Sequence, residues 1–295
     1  MANADPKYVT GNPMGQGDEA YAQYIIDQGW KNYTPEEHAT WGILYDRQRK
    51  LLEGRACDEY MESLDRLEIG SKEIPDFKVL SERLKKLTGW EVVPVPGLIP
   101  DLSFFKMLSE RKFPAGNFIR RRDQLDYIEE PDVFHDVFGH VPLLAHPIFA
   151  DHLAAYGAGG LKASKFDAVS FLARLYWYTV EFGLINTPKG LRIYGAGILS
   201  SKGESVFSLE DPSPNRIGFN PMRTMRTNYR VDDYQQTYFV IDSFEQLFEE
   251  TDPDFAPYYE ALKADNTEYA ADQIVASDAV ITRGTGQYAR SKKSA

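Results

Sequence analysis

Two of the chain's five histidines stand in one apolar stretch, Pro131-Asp132-Val133-Phe134-His135-Asp136-Val137-Phe138-Gly139-His140-Val141-Pro142. The apolar residues of this stretch recur at helical spacing. On an ideal α-helix, side chains five residues apart point about 140° away from each other, so His135 and His140 could not bind one ion. We therefore predict that the helix breaks between them, because Gly139 tolerates the conformations that end a helix and Pro142 cannot continue one.

A single acid lies within a second apolar stretch, Arg174-Leu175-Tyr176-Trp177-Tyr178-Thr179-Val180-Glu181-Phe182-Gly183-Leu184. That acid is Glu181, and the spacing predicts a helix over residues 168–184. A buried carboxylate is costly unless it pairs with a cation or binds a metal. Together with His135 and His140, Glu181 would form the two-histidine, one-carboxylate set of non-haem iron(II) oxygenases, which leaves coordination positions open.

Other interpretations of these three residues stay open on residue types alone. Histidine pairs are often structural, and a buried glutamate can pair with an arginine. The same residues could hold Zn²⁺ in a hydrolase, with Asp136 or another acid as general base. Trp177 lies four residues before Glu181 and would share its helix face, which favours a site for an aromatic substrate beside a metal.

The composition is that of a folded globular chain. The 295 residues are 43% hydrophobic and 13% aromatic, and one domain is the simplest organisation. A formal net charge of −11 repels nucleic acid and anionic membranes, and we interpret the basic runs 120–122 and 292–293 as solvated faces. With one cysteine, no signal-peptide pattern and no apolar run of about 20 residues, we expect a cytoplasmic protein without intrachain disulfides or membrane spans.

The element pattern predicts a mainly α fold, or α+β by a strict count, with a few short β-strands in a single helical domain. Residues 1–30 are expected to form a partly irregular arm, residues 31–265 the main domain, and residues 266–295 a C-terminal extension. The predicted elements include a helix that starts at the capping signal Thr34-Pro35-Glu36-Glu37. They also include helices over 58–67, 76–87 and 103–111, strands over 191–194 and 236–241, and a tight turn at Gly195-Ala196-Gly197.

Four motifs, in this order along the chain, resemble those of the pterin-dependent aromatic amino acid hydroxylases. They are Val95-Pro96-Gly97-Leu98-Ile99-Pro100, residues 130–143, residues 175–184, and Tyr194-Gly195-Ala196-Gly197-Ile198-Leu199-Ser200-Ser201. The resemblance spans about residues 30 to 265 and implies the catalytic-domain fold of that family. It also implies that His135, His140 and Glu181 bind Fe²⁺.

The resemblance assigns two further sets of residues. Arg120 is similar to the arginine that binds the substrate carboxylate, and Asp132 would hold it in place. The residues implied to contact the substrate are Arg120, Ile128, Pro131, Asp132, Trp177, Gly197 and Ser200. Those implied to contact tetrahydropterin are Gly97, Leu98, Ile99, Asp101, Phe104, Asp136 and Tyr176, and Phe104 would stack on the pterin ring.

The chain departs from the animal members of this family at two positions. Asp136 stands where they carry Glu, and Ile128 stands where they carry a Thr that positions the substrate, so only the main chain of Ile128 could serve. The animal enzymes also carry a regulatory domain and an oligomerisation helix, for which this chain has no room. An unregulated monomer, or at most a weak dimer, is therefore expected.

The reaction implied by the resemblance converts L-phenylalanine, tetrahydropterin and O₂ to L-tyrosine and 4a-hydroxytetrahydropterin on Fe²⁺. Phenylalanine is the expected substrate because compact, single-domain chains resemble the bacterial phenylalanine enzymes. Tryptophan and tyrosine are alternatives, since pocket selectivity depends on side-chain placement. Neither nucleic acid nor a membrane is expected as a partner. The rivals are a zinc hydrolase and a non-enzymatic helical interaction module.

Overall fold

The computed structural model describes residues 20–251 and 255–293, so residues 1–19 of the predicted arm lie outside the described part. The α-helices there are α1 (Pro35–Leu52), α2 (Asp58–Arg66), α3 (Phe77–Leu87), α4 (Asp101–Ser109), α5 (Pro147–Ala163), α6 (Val169–Tyr176), α7 (Ala196–Leu199), α8 (Lys202–Glu210), α9 (Pro221–Met225), α10 (Phe244–Thr251), α11 (Ala256–Ala264) and α12 (Gln287–Lys293). Among the described residues, none of the helices combines the length and apolarity needed to span a bilayer.

The β-strands form two small sheets. The strands are β1 (Glu91–Val95), β2 (Lys112–Gly116), β3 (Leu184–Thr187), β4 (Gly190–Ile193), β5 (Asn215–Gly218), β6 (Thr237–Ile241) and β7 (Val280–Thr282). Strands β1 and β2 pair in parallel, and the second sheet has the order β4-β3-β6-β5-β7, with parallel pairs at its centre and antiparallel pairs at both edges. The mainly helical fold with a few short strands is therefore as predicted.

Three helices predicted in the first third of the chain are present, and two of them begin at a capping side chain. Thr34 and Glu37 form a reciprocal capping box at the start of α1, and Pro35 occupies its first position. The helix predicted over 58–67 is α2, and the one predicted over 76–87 is α3, whose first turn is capped by the Asp76 side chain.

The described part of the predicted arm packs on the body of the protein. The Ile26 amide donates to the carbonyl oxygen of Pro94 at 3.0 Å, and Trp30 Nε1 donates to that of Ile74 at 2.6 Å. The C-terminal residues also return to the body, since β7 pairs with β5 and the Tyr269 amide donates to the Arg226 carbonyl oxygen. The boundaries at residues 30 and 265 stay predictions.

Helix α5 lies against α4 through glycines. A Cβ on Gly157 would lie 2.4 Å from the Ser109 nitrogen and 2.6 Å from the Phe105 oxygen. Both neighbours are backbone atoms, which cannot move without shifting α4. Glycine at this position therefore sets how closely the two helices approach, and α4 carries part of the small cavity described below.

We expect Gly157→Ala to lower the free energy of unfolding by about 2 kcal/mol, because an overpacking cost of about 3 kcal/mol outweighs the gain in helix propensity of about 1 kcal/mol. Urea unfolding followed by circular dichroism measures this. Gly70→Ala is the matched control, since a Cβ there meets no atom within 4 Å. Its expected change is within about 0.5 kcal/mol. Equal unfolding midpoints for the two variants would contradict the packing argument.

Candidate metal centre and active site

Three side chains from two distant parts of the chain meet at one point. The Nε2 atoms of His135 and His140 lie 3.2 Å apart, and Glu181 places its carboxylate oxygens 3.0 Å from His140 Nε2 and 3.6 Å from His135 Nε2. Ligand atoms that share one metal ion lie about 3.0–3.4 Å apart, because each bond is about 2.1 Å long. The three donors therefore fit a single ion, and two imidazoles with one carboxylate suit non-haem Fe²⁺.

The helix does not break between the two histidines, so that prediction is wrong. Residues Phe134–His140 form a π-helix, in which hydrogen bonds join residues five apart. The wider turn brings His135 and His140 to the same side of the helix, which an α-helix would not do. Gly139 instead serves packing, since a Cβ there would lie 2.9 Å from the Ala196 carbonyl oxygen.

The helix that carries the acid also widens. It is α-helical up to Tyr176 and becomes a π-helix over Trp177–Glu181, before β3 begins at Leu184. The predicted single helix over 168–184 is therefore wrong in its last part, although Trp177 and Glu181 do face the same cavity. Widened helices follow from tertiary packing, and a periodicity of 3.6 residues cannot reveal them.

The predicted tight turn at residues 195–197 is instead the start of α7. The amide of Gly197 lies beside Glu181, whose carboxylate it helps to keep ionised by a hydrogen bond. A Cβ on Gly197 would lie 3.1 Å from Glu181 Oε2, so glycine leaves room for the carboxylate. The first turn of α7 thus places the backbone of Gly197, and not a side chain, next to the Glu181 carboxylate.

Ser200 orients the first imidazole. Its Oγ lies 2.9 Å from His135 Nδ1 and donates to the Ala196 carbonyl oxygen at 2.9 Å. Since the hydroxyl proton is used in that bond, Oγ accepts from Nδ1–H. The Nε2 atom of His135 is then unprotonated and faces the other two donors, which is the form that binds a metal.

The electrostatics of His135 and Glu181 favour metal binding. Burial lowers the pKa of His135 to about 4, against the opposing effect of Glu181, so the imidazole is neutral at pH 7. Burial raises the pKa of Glu181, but the imidazoles of His140 and His135 lower it, and the net pKa lies below its ordinary value. Neutral imidazoles and an ionised carboxylate are the states that coordinate metal ions.

A cavity of about 370 Å³ opens on one side of the three donors. Six of the seven residues predicted to contact the substrate line it: Arg120, Ile128, Pro131, Trp177, Gly197 and Ser200. The seventh, Asp132, is fully buried behind Arg120. The structure thus brings the predicted substrate set together around one space.

Arg120 and Asp132 form a buried, two-pronged ion pair. Arg120 donates from Nε to Asp132 Oδ2 and from Nη2 to Oδ1, both at 2.8 Å, with 6% and 0% of the side chains exposed. The interpretation of residues 120–122 as a solvated face is therefore wrong for Arg120, although Arg121 is exposed and pairs with Asp123. Within the described residues, Asp132 and the Leu125 carbonyl oxygen use three of the five N–H groups of Arg120. Two remain for a ligand.

A smaller cavity, of about 70 Å³, lies on the other side of the donors. Six of the seven residues predicted to contact the pterin line it: Gly97, Leu98, Ile99, Phe104, Asp136 and Tyr176. Asp101 does not, since it is buried at the first position of α4. Asp136 accepts from the Gly116 amide at 2.7 Å, and burial raises its pKa to about 7.

The donor cluster lies between the two cavities. Pro131, His135 and Glu181 line both of them, and His140 lines the smaller one. An ion held by the three donors would therefore be accessible from both sides. Two different molecules could approach it at the same time.

The comparisons with known proteins agree with this arrangement. The model of the family described as biopterin-dependent aromatic amino acid hydroxylase matches residues 26–264. The phenylalanine-4-hydroxylase of Caulobacter vibrioides is 56% identical over 283 residues, which cover 95% of this chain and 96% of that protein. The chain belongs to the biopterin-dependent aromatic amino acid hydroxylase family. The resemblance inferred from the four sequence motifs is confirmed.

Two solved structures of this hydroxylase family are similar over most of the chain. One is phenylalanine hydroxylase from Chromobacterium violaceum with bound oxidised Fe(III), at a TM-score of 0.86 and 57% identity, covering 90% of this chain and 96% of that one. The other is the iron- and phenylalanine-bound form, at a TM-score of 0.84 and 56% identity with the same coverage. Membership in the hydroxylase family argues against both the zinc hydrolase and the non-enzymatic module.

Several residues that line the larger cavity were not predicted from the sequence. Glu204 is buried, and burial raises its pKa to about 7. Gln235 accepts from Trp177 Nε1 at 2.8 Å. Tyr288 and Lys292 reach the cavity from the C-terminal helix. Glu204 is the first acid after the Ser200-Ser201 motif, and this position was a usable signal. No local pattern connects Tyr288 with Glu181, which lies more than 100 residues before it.

Proposed function

We propose that this chain is a phenylalanine 4-monooxygenase that uses Fe²⁺, tetrahydropterin and O₂ to convert L-phenylalanine to L-tyrosine. The observation that carries the proposal is the His135, His140 and Glu181 cluster between two cavities whose linings suit two different ring systems. The names of the hydroxylase relatives, and the iron and phenylalanine bound to one of them, support it.

The two histidines and Glu181 would hold the iron. Ser200 keeps the His135 ring in the orientation and tautomer that this requires. Iron and tetrahydropterin together would supply the activation of dioxygen. The protein supplies the position of the substrate and the exclusion of water, since both π-helices bury the donor cluster among aromatic side chains.

On the substrate side, Arg120 would bind the carboxylate of the amino acid with the two N–H groups that Asp132 and Leu125 leave free. A guanidinium suits this role because its planar fork matches a carboxylate. Trp177, which stacks on Tyr229 with ring centroids 4.4 Å apart, would form the wall against the aromatic ring. Carboxylate and ring are thereby held at two separate points.

On the cofactor side, Phe104 and Tyr176 would contact the pterin ring. Their rings meet edge to face at 5.8 Å, and Tyr176 also stacks on His140 at 6.3 Å. The backbone of residues 97–99 lines the same cavity. Asp136 would offer a carboxyl group to the pterin nitrogens. Because burial raises its pKa to about 7, more of this carboxyl group is neutral than in an aspartate exposed to water.

Product analysis tests the function and the choice of substrate. The protein is incubated with Fe²⁺, tetrahydrobiopterin and O₂ and with phenylalanine, tryptophan or tyrosine in turn. Tyrosine should form from phenylalanine with kcat/KM at least about tenfold above the values for the other two amino acids. Faster hydroxylation of tryptophan or tyrosine would assign the chain to another activity of the family. No pterin-dependent product from any of the three would reject the proposal.

The remaining sequence-based predictions belong to the same proposal. A single catalytic domain over residues 31–265, between an arm and a C-terminal extension, accords with the family match over 26–264. The proposed protein is a cytoplasmic monomer. The net charge of −11 supports the expected absence of nucleic acid and membrane partners. Size-exclusion chromatography with light scattering would test the monomer.

A further inference from the structure

Part of the substrate cavity is built by a segment outside the region that the family model matches. That region ends at residue 264, whereas Tyr288 and Lys292 of α12 line the cavity together with Arg120 and Glu181. Neither residue belongs to the metal or substrate sets described above.

Helix α12 is attached to one loop of the cavity wall. The Tyr288 hydroxyl and the Lys292 ammonium each donate to Asp233 Oδ1 at 2.8 Å. The Asp233 side chain is only 9% exposed, and these two donors keep its pKa below the ordinary value despite burial. The Tyr288 ring also packs on Tyr234 and Phe207, with centroids 5.4 and 5.1 Å apart. The loop of residues 230–235, here called the wall loop, is thereby held by charge and by aromatic packing.

The wall loop in turn holds Trp177. Gln235 donates from Nε2 to the carbonyl oxygens of Arg230 at 2.9 Å and Asp233 at 3.3 Å, which orients its amide. Its Oε1 then accepts from Trp177 Nε1 at 2.8 Å. Since Gln235 is 2% exposed, water cannot easily replace this bond. A continuous set of contacts therefore runs from α12 through Asp233 and Gln235 to Trp177.

We propose that Tyr288 and Lys292 are positioning residues, which hold the wall loop so that Trp177 forms the binding surface for the aromatic ring of the substrate. Lys292 acts through Asp233 and not on the substrate carboxylate, because its ammonium is already paired with that buried acid. The identity of the ligand rests on the proposed function. The mechanical connection from α12 to Trp177 does not.

The connection is tested by ¹⁹F NMR of protein labelled with 5-fluorotryptophan. The chain has four tryptophans, at positions 30, 41, 90 and 177, and Trp177→Phe assigns the fourth resonance. The protein is loaded with Zn²⁺, which is diamagnetic. In the double variant Tyr288→Phe with Lys292→Met, the Trp177 resonance should shift or broaden while the other three keep their positions. The single variant Lys292→Arg keeps both the positive charge and Tyr288. Its Trp177 resonance should therefore lie close to the wild-type position.

Tyr45→Phe is the matched control. It also removes one hydrogen-bonded tyrosine hydroxyl, which donates to the Ile69 carbonyl oxygen at 2.7 Å, but its ring lies 6.5 Å from Trp41. This variant should move the Trp41 resonance and leave that of Trp177 unchanged. The control separates a general loss of stability from the specific path through the wall loop.

Kinetics of the iron-loaded protein supply the second measurement. The double variant should raise KM for phenylalanine about fivefold or more, with kcat within about twofold, because the wall contacts the ring in the ground state and the transition state alike. An unmoved Trp177 resonance overturns the proposal, whether or not KM changes. A shifted resonance with unchanged KM also overturns it, since the wall would then not bind substrate. If the wild type makes no tyrosine but the resonance shifts, the function fails and the connection stands.

Discussion

Glu181→Gln is expected to reduce the bound iron to about a tenth or less and the formation of tyrosine by at least about 10³-fold. The glutamine has the shape of the glutamate, so the packing of the π-helix over Trp177–Glu181 is retained. It lacks the negative charge, and the imidazoles of His135 and His140 then face the ion without a carboxylate. Metal analysis after dialysis and a product assay measure the two effects.

Glu204→Gln is the control for replacing a buried carboxyl group in the same cavity by an amide. Glu204 is also buried and lines the same cavity. It accepts hydrogen bonds from the Tyr238 hydroxyl and from the backbone N–H of Gln235, and it is not part of the donor cluster. We expect this variant to bind iron as the wild type does. If both variants lost iron equally, or if Glu181→Gln retained it, the assignment of Glu181 as a ligand would be wrong.

Arg120→Lys is expected to lower kcat/KM for phenylalanine by about 10²–10³-fold. Lysine keeps the positive charge next to the buried Asp132, so the fold is not left with an unpaired carboxylate. It cannot bind Asp132 through two bonds and still offer two N–H groups to the substrate. The loss should therefore fall on binding of the substrate carboxylate.

An analogue without the carboxylate makes this prediction specific. Wild-type protein should prefer phenylalanine strongly over 2-phenylethylamine, and Arg120→Lys should reduce that preference by the same factor by which it lowers kcat/KM for phenylalanine. Arg121→Lys, in the exposed neighbour that pairs with Asp123, is the control and should stay within about twofold of the wild type. An unchanged preference in the Arg120 variant would contradict its role.

The candidate metal set could be selected from the sequence because its members are chemically conspicuous. Two of five histidines share one apolar stretch, and Glu181 is the lone acid in another. Arg120 was harder to interpret, since it stands in a run of three arginines, and such a run is typical of a solvated face. Only its burial against Asp132, which lies 12 residues later, separates it from Arg121. Residue type therefore indicated the chemistry, and burial decided between neighbours of the same type.

By itself, the sequence determined the mainly helical class, the capped starts of α1 and α3, and the residue types able to bind a metal, because these depend on local propensity and composition. The tertiary structure decided how His135 and His140 come to face one point, since the π-helix exists only within the packing around it. It also decided that α12 lies at the larger cavity, because contacts between residues so far apart follow from the path of the whole chain and leave no local pattern.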